Sequence, residues 1–466
     1  MKTFGLWLGF LLLYSAIGST GWATNYYVAA SGSTPDGQWT NWAGAHTNLI
    51  EVVARCRDND TVYVTNNAIY YLTNYATISY AVALRSWAPD GGLDPTNTIL
   101  NGNYPNTTNR IFYVNNYGAW VKGFTITNGC EPSANGGGVW LRLGHLTNCV
   151  ITGNRCYRTN DNSTDGGGGL HLGPGSGTSG SVWNCTISGN FCSNDGGGIK
   201  VSQGGPWVIA NCMIAENVTT NIIISSYGDG GGIGAYNASG GLELRDCWIV
   251  SNSSLMSGGG LYVYRGQLTR CVVMGNSSMS GSGGGVYLRD GLVRNCVIYN
   301  NSCNPGGNSL GGGLYFDSNN GLAQNCTIYS NVAANGGGLG FYNGNSYVEN
   351  SVIWANRNTS GTKSNYWIDA TATVSFTNCC TAPDVGAYGP NCFATNSIAS
   401  DPQFADLAVD NCRLQPASPS INAGFNRSWM DGATDYEGLS RIDGFSRVVD
   451  MGAYEYLHRG TLVTIK

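Results

Sequence analysis

The sequence predicts an all-β solenoid: a parallel β-helix with an N-terminal capping helix and a loop-rich C-terminal cap. Three observations carry the prediction. A strand motif of the form N-C-x-I-x-x-N recurs, with its lead residue at Phe124, Cys149, Cys185, Cys212, Cys247, Cys271, Cys296, Cys326, Ser351 and Cys379. A second motif, three glycines followed by alternating apolar and other residues, opens at Gly136, Gly167, Gly196, Gly230, Gly258, Gly283, Gly311 and Gly336. The gaps between lead positions vary from 24 to 36 residues while the strand motif persists. That combination suits stacked coils whose turns accept insertions.

Composition bounds the rest. The chain has 466 residues with 69 Gly, 42% hydrophobic and 11% aromatic residues. Glycine falls well short of the one-third share with triplet period that collagen needs, and the apolar content is enough for a packed core. With 23 Lys and Arg against 28 Asp and Glu, a net charge of −5 and no basic run, nucleic acid is not an expected partner.

Taken in order, residues 1–23 read as a secretory signal peptide, with Lys2, an apolar stretch from Phe4 to Ile17 and a small-x-small cleavage site at Gly21-Trp22-Ala23. No later segment is long and apolar enough to span a bilayer. The mature chain is therefore expected to be exported, secreted or cell-surface, and monomeric. Residues 24–100 form the N-terminal cap and first coils: Trp42 to Arg55 places Leu49, Val52 and Val53 at helical spacing, before a strand at Thr61. Residues 101–380 are the regular coils, and residues 381–466 lose the repeat to form the C-terminal cap. Leucine-rich repeats need a steadier period and a different leucine frame, and the Ca²⁺-binding nonapeptide repeat needs a nine-residue period; neither is present.

Strand alternation sorts the side chains. Cys and Ile of the N-C-x-I strand are two apart and face inward together. Stacked thiols then fill a core column, reduced rather than bridged, because in-register parallel Cβ vectors disfavour the disulfide dihedral. Cys380, Cys392 and Cys412, outside the regular coils, are the better disulfide candidates. Asn154, Asn190, Asn217, Asn252, Asn276, Asn301, Asn331 and Asn356 follow each lead by five residues and read as an amide ladder at a corner.

On these repeats the coils from about 100 to 380 resemble the right-handed parallel β-helix superfamily of pectate lyases and polygalacturonases. The alternation of N-C-x-I-x-x-N with G-G-G-[VIL] is similar to polymorphic outer-membrane protein repeats. The tail, with DPQF at Asp401, CRLQPASPSINAG from Cys412 and VVDMGAYEY from Val448, resembles the "choice-of-anchor Q" module of bacterial β-helix surface proteins. The resemblance implies an extracellular or cell-surface setting. It implies no single activity, since one fold hosts many.

Two functional readings follow. In the first, outward positions after the glycine triplets form an exposed face carrying Trp140, Tyr262, Tyr287 and Tyr315, with Tyr264 beside it, and these rings stack on a polysaccharide or cell-surface glycan. In the second, the chain is a polysaccharide lyase or glycoside hydrolase acting on an acidic polymer. Lys200 or His171 would abstract a proton, Asp195 and Arg142 would flank it, and Asp165, Asp195 and Asp229 would form an acidic column able to hold Ca²⁺, the one candidate cofactor. Aspartate before glycine is equally an ordinary turn residue. In the tail, Asp431, Asp435, Glu437, Asp443, Asp450 and Glu455 offer calcium ligation and turn roles alike. The paired Asp, Gly-His-Gly and Arg-Ile-Lys pattern of polygalacturonases is not reproduced.

Overall fold

The computed structural model describes residues 23–30, 37–87, 95–132, 135–157, 166–173, 175, 177–220, 228–236, 241–304, 308–317, 320–362, 364–381, 391–442, 444 and 446–456. The leader expected at 1–23 falls outside them except for Ala23, as do Asp165 and Asp443.

Each regular coil turns three corners, and at each the sequence supplies a residue in the left-handed backbone region. At the first it is the residue before the lead position, as in Asn184 (φ 51°) and Asn211 (φ 52°). At the second it is the residue before the ladder asparagine, as in Gly189 (φ 60°), and at the third the first glycine of the triplet, as in Gly196 (φ 68°). Asn and Gly reach this region at least cost, which is why the two motifs punctuate the chain as they do.

Between corners lie three walls, sheets of 21, 12 and 9 strands. Successive coils pair in parallel and in register, Ile151 on Ile187, Ile187 on Ile214 and Ile214 on Ile249. The 21-stranded wall takes two segments from most coils. The first follows the glycine triplet. An elbow leads to the second, which ends before the lead position.

The predicted ladder and core column are both present. Asn190 donates its backbone N–H and its Nδ2 to Asn217 Oδ1 of the next coil, each at 3.0 Å, and Nδ2 also to Ile151 O at 2.9 Å. The same pattern runs from Asn154 to Asn356 and ends on Asn365. The other two glycines of a triplet make room for it: a Cβ on Gly197 would lie 2.5 Å from Gly231 O, and one on Gly198 would lie 2.9 Å from the Asn217 amide. The lead cysteines are buried free thiols. Cys380, Cys392 and Cys412 are free as well, so the disulfides expected there are absent. Cys380 instead donates to Ser400 O, and Cys412 packs in the apolar cluster under the cap.

The N-terminal helix spans Leu49–Arg55, with Asn48 Oδ1 accepting from Ile50 N at 3.0 Å and Leu49, Val52 and Val53 buried. It starts seven residues later than the pattern at Trp42 suggests, because His46 is drawn into a parallel bridge with Val28. The C-terminal cap does more than close the end. It folds back along the 12-stranded wall, and Phe404, Leu414, Met451 and Ala453 pack on Val297, Tyr299, Tyr329 and Val352. First-corner asparagines hold it there: the Nδ2 groups of Asn295, Asn350 and Asn378 donate to Thr434 O, Phe425 O and Ala423 O at 2.9–3.0 Å. Among the described residues no helix is long and apolar enough to cross a membrane.

Candidate functional site

The outward column after the glycine triplets is real, but it is not an open face. Register stacks Trp140 on His171, His171 on Lys200, Lys200 on Gly234, then Tyr262, Tyr287 and Tyr315. His171 is 0%, Lys200 1% and Tyr315 6% exposed, while Trp140, Tyr262 and Tyr287 are half-buried. Tyr236, Tyr262 and Tyr287 stack face to face with centroids 4.5 Å apart, and Tyr315 follows at 4.9 Å. Two of their hydroxyls are tied down, Tyr236 to Asp229 and Tyr287 to Asp317. The rings spend their faces on one another, so the exposed aromatic face expected here is corrected to a packed outer layer. Tyr264 lies at its edge under the guanidinium groups of Arg265 and Arg289, each 5.2 Å from the ring centroid.

The residues expected to be catalytic are mostly brought together, but away from solvent. Lys200 Nζ donates to Asp195 Oδ2 at 2.7 Å, and both side chains are 1% exposed. Asp195 Oδ1 accepts from Gly228 N at 3.0 Å and Asp229 N at 3.1 Å. Asp229 Oδ1 accepts from Ser257 N, and its Oδ2 accepts the Tyr236 hydroxyl. Burial, then the neighbouring Asp195 charge, pushes the Asp229 carboxyl up to about 7. Burial drives His171 down to about 3, so the imidazole is neutral. Its Nδ1 donates to Gly166 O at 3.1 Å, and its buried Nε2 has no partner. Arg142 bonds Asn115 of the preceding coil at 3.0 Å, on the opposite side of its rung from Lys200. No polymer reaches the Lys200 amine or the His171 ring in this packing.

The two described members of the acidic column, Asp195 and Asp229, do not suit Ca²⁺. Asp165 lies outside the described residues, and the residue bridged in register with Asp195 is Gly166. The carboxylate oxygens of Asp195 and Asp229 all accept from protein donors, and the Lys200 ammonium stands where a cation would. A calcium ion needs several free oxygens. The cap acids are used similarly. Asp435 accepts from the backbone N–H groups of Glu437, Leu439 and Glu455, and Glu455 pairs with the buried Arg441 at 2.6 Å. Among the described residues, no group of three or more His, Cys, Asp or Glu side chains is placed to hold a metal ion.

The open surface lies one elbow further along the same wall. Arg265, Asp290 and Asn320 take left-handed φ values of 63°, 57° and 71°, and each is followed by a glycine that turns the strand. A Cβ at Gly321 would meet the Phe316 ring at 2.2 Å. These elbows form a ridge. Beside it the outward positions of the second segments stack as Val208, Glu243, Gln267, Leu292 and Leu322 over five coils. Ridge and strip enclose a groove of about 560 Å³. Exposed rings continue the strip at Tyr347, 44% exposed, and Phe393, 57% exposed, while Trp183, 38% exposed, stands in the next column beside Arg245. Towards the N-terminus Trp120 stacks on His145 at 4.2 Å. Strand and triplet motifs alone do not point to these residues. The signal is present in the pairs Arg265-Gly266, Asp290-Gly291 and Asn320-Gly321, a turn signature recurring at a similar distance after the glycine triplet.

Residues 99–291 match a family model described as a right-handed β-helix region. With the parallel, in-register walls, this makes the chain a right-handed parallel β-helix. Among solved structures the chain is similar to the crystal structure of pectate lyase Pel9A, at 15% sequence identity and a TM-score of 0.46, over 93% of this chain and 96% of that one. No curated protein matches the chain.

Proposed function

We propose that the protein works outside the cytoplasm, secreted or on the cell surface, and binds an extended glycan along the second-segment strip. The observation that carries this reading is the groove itself. It is open, follows five coils, and is floored by Val208, Leu292 and Leu322 with Gln267 and Glu243 between them. Apolar floor with interspersed hydrogen-bonding groups is the chemistry that grips a sugar chain, whose faces are apolar and whose edges are polar. Four rung steps at about 4.8 Å make a track of roughly 19 Å, long enough for several linked sugars. The stacked tyrosines brace the wall behind the ridge.

Affinity electrophoresis of the mature protein through neutral and acidic polysaccharides tests this. Val208→Arg and Leu292→Arg fill the groove without touching the core and are expected to weaken retention at least about tenfold, or ~1.4 kcal/mol. Retention unchanged in both variants removes the groove from the reading. The same incubations report on hydrolysis or lyase cleavage, through reducing ends and unsaturated products with and without added Ca²⁺. Glu243 and Asp290 are the carboxyl groups lining the groove, and their substitution would abolish any hydrolysis that belongs to it.

A further inference from the structure

We propose that Lys200 and Asp195 condense into an intramolecular isopeptide bond. Asp195 is the last residue before the triplet Gly196–Gly198, and Lys200 is the second residue of the strand that follows, so the lysine side chain runs back over the corner to meet the carboxylate. Nζ stands 2.7 Å from Oδ2 with both groups 1% exposed. A carboxyl oxygen at that distance brings its carbon close to the near-attack separation of about 3–3.5 Å. The next coils do not repeat the pair: at the corner and strand positions they carry Asp229 with Gly234, then Ser257 with Tyr262.

The surroundings favour the reaction. The reaction begins with one proton passing along the 2.7 Å contact from the ammonium to the carboxylate, giving a neutral amine and acid in a site closed to water. The Nζ lone pair then attacks Cγ. Charge that develops on Oδ1 is already met by two backbone donors, Gly228 N and Asp229 N at 3.0 and 3.1 Å, the arrangement of an oxyanion hole. Asp229, protonated up to about pH 7, is the neighbouring acid, with Tyr236 OH bonded to it and the Tyr236 ring centred 4.1 Å from Nζ. On the rung below, His171 is neutral and adds no competing charge. As the tetrahedral carbon collapses, the Cγ–Oδ2 bond breaks and Oδ2 leaves as water. Three ammonium hydrogens and a carboxylate become one amide N–H and one water, with no oxidant or further reactant.

Peptide mapping of the full chain tests the bond directly. Trypsin is expected not to cut after Lys200, and the uncut peptide running on to Arg245 is expected to be one water lighter than its sequence. Lys200→Met restores the full mass, and Asp229→Ala restores cleavage after Lys200. Ordinary cleavage after Lys200 at full mass overturns the proposal. So does a water loss that survives in Lys200→Met, since that is a cyclic imide between Asp195 and Gly196. The wild-type chain alone separates cleavage at full mass from the lighter uncut peptide, even if the variants fail to fold.

Discussion

The two segments of the long wall share one sheet, one register and one alternation, yet their outward faces differ. On the first segment the outward groups reach carboxylates beside them and close over: Lys200 meets Asp195, Tyr236 meets Asp229, Tyr287 meets Asp317. On the second, Glu243 and Gln267 project into solvent, and the neighbouring elbows raise a ridge instead of a lid. Alternation fixes which side of a wall a side chain leaves from. Whether it stays open depends on what the turns bring next to it.

Substitutions that load the two faces unequally sharpen this contrast. Lys200→Met leaves the buried Asp195 carboxyl without its partner, whether that partner is held as an ion or as an amide, and is expected to cost about 3–5 kcal/mol in urea unfolding. Gln267→Ala, its counterpart on the open strip, is expected to stay within about 0.5 kcal/mol. Similar losses for the two would erase the distinction. A smaller effect of the same kind separates two tyrosines. Tyr287→Phe removes a hydroxyl from Asp317 and costs about 1 kcal/mol, whereas Tyr347→Phe, with an exposed ring, changes little.

The covered face also predicts a pH response. Asp229 holds its proton up to about 7 when folded, against an ordinary 3.8, so its contribution is present below pH 4 and lost as pH rises through 7. His171, lowered from 6.5 to about 3, contributes above 6.5 and loses that contribution as pH falls through 3. The slopes oppose each other between pH 4 and 6.5. Asp229→Asn is expected to leave stability rising with pH across that window more steeply than in the wild type, by at most about 1.4 kcal/mol per pH unit. Glu455 in the cap, raised to about 8 by burial, adds a falling limb to both proteins and so cancels from the difference. A curve unaltered by Asp229→Asn would mean that this carboxyl is hydrated.

The coils are legible in the sequence because their determinants are local and repeated. An Asn or Gly that takes a left-handed corner, and a Cys two residues from an Ile, mark the same place on most rungs. The ladder from Asn154 to Asn356 and the free thiols follow directly. The candidate site is less legible. Alternation sends His171 and Lys200 outward, which is right for the wall, but their burial depends on groups from other coils that no single-strand pattern encodes. The packing of Cys412 in the cluster of Tyr329, rather than against another cysteine, likewise depends on where the cap lands. The groove escapes the repeat motifs because its walls are turns, where the signal is two residues long.

The returning cap sets an order of events during synthesis. Rungs of a solenoid can form as soon as their residues emerge, each on the one before. Tyr299, Tyr329 and Val352, however, find their cover only when residues 404–453 have been made. A chain interrupted before that point would present a greasy flank along its later coils while its earlier coils were already finished. Residues 404–453 thus act as the seal on coils that precede them, and a chain stopped short of them is the form most exposed to self-association.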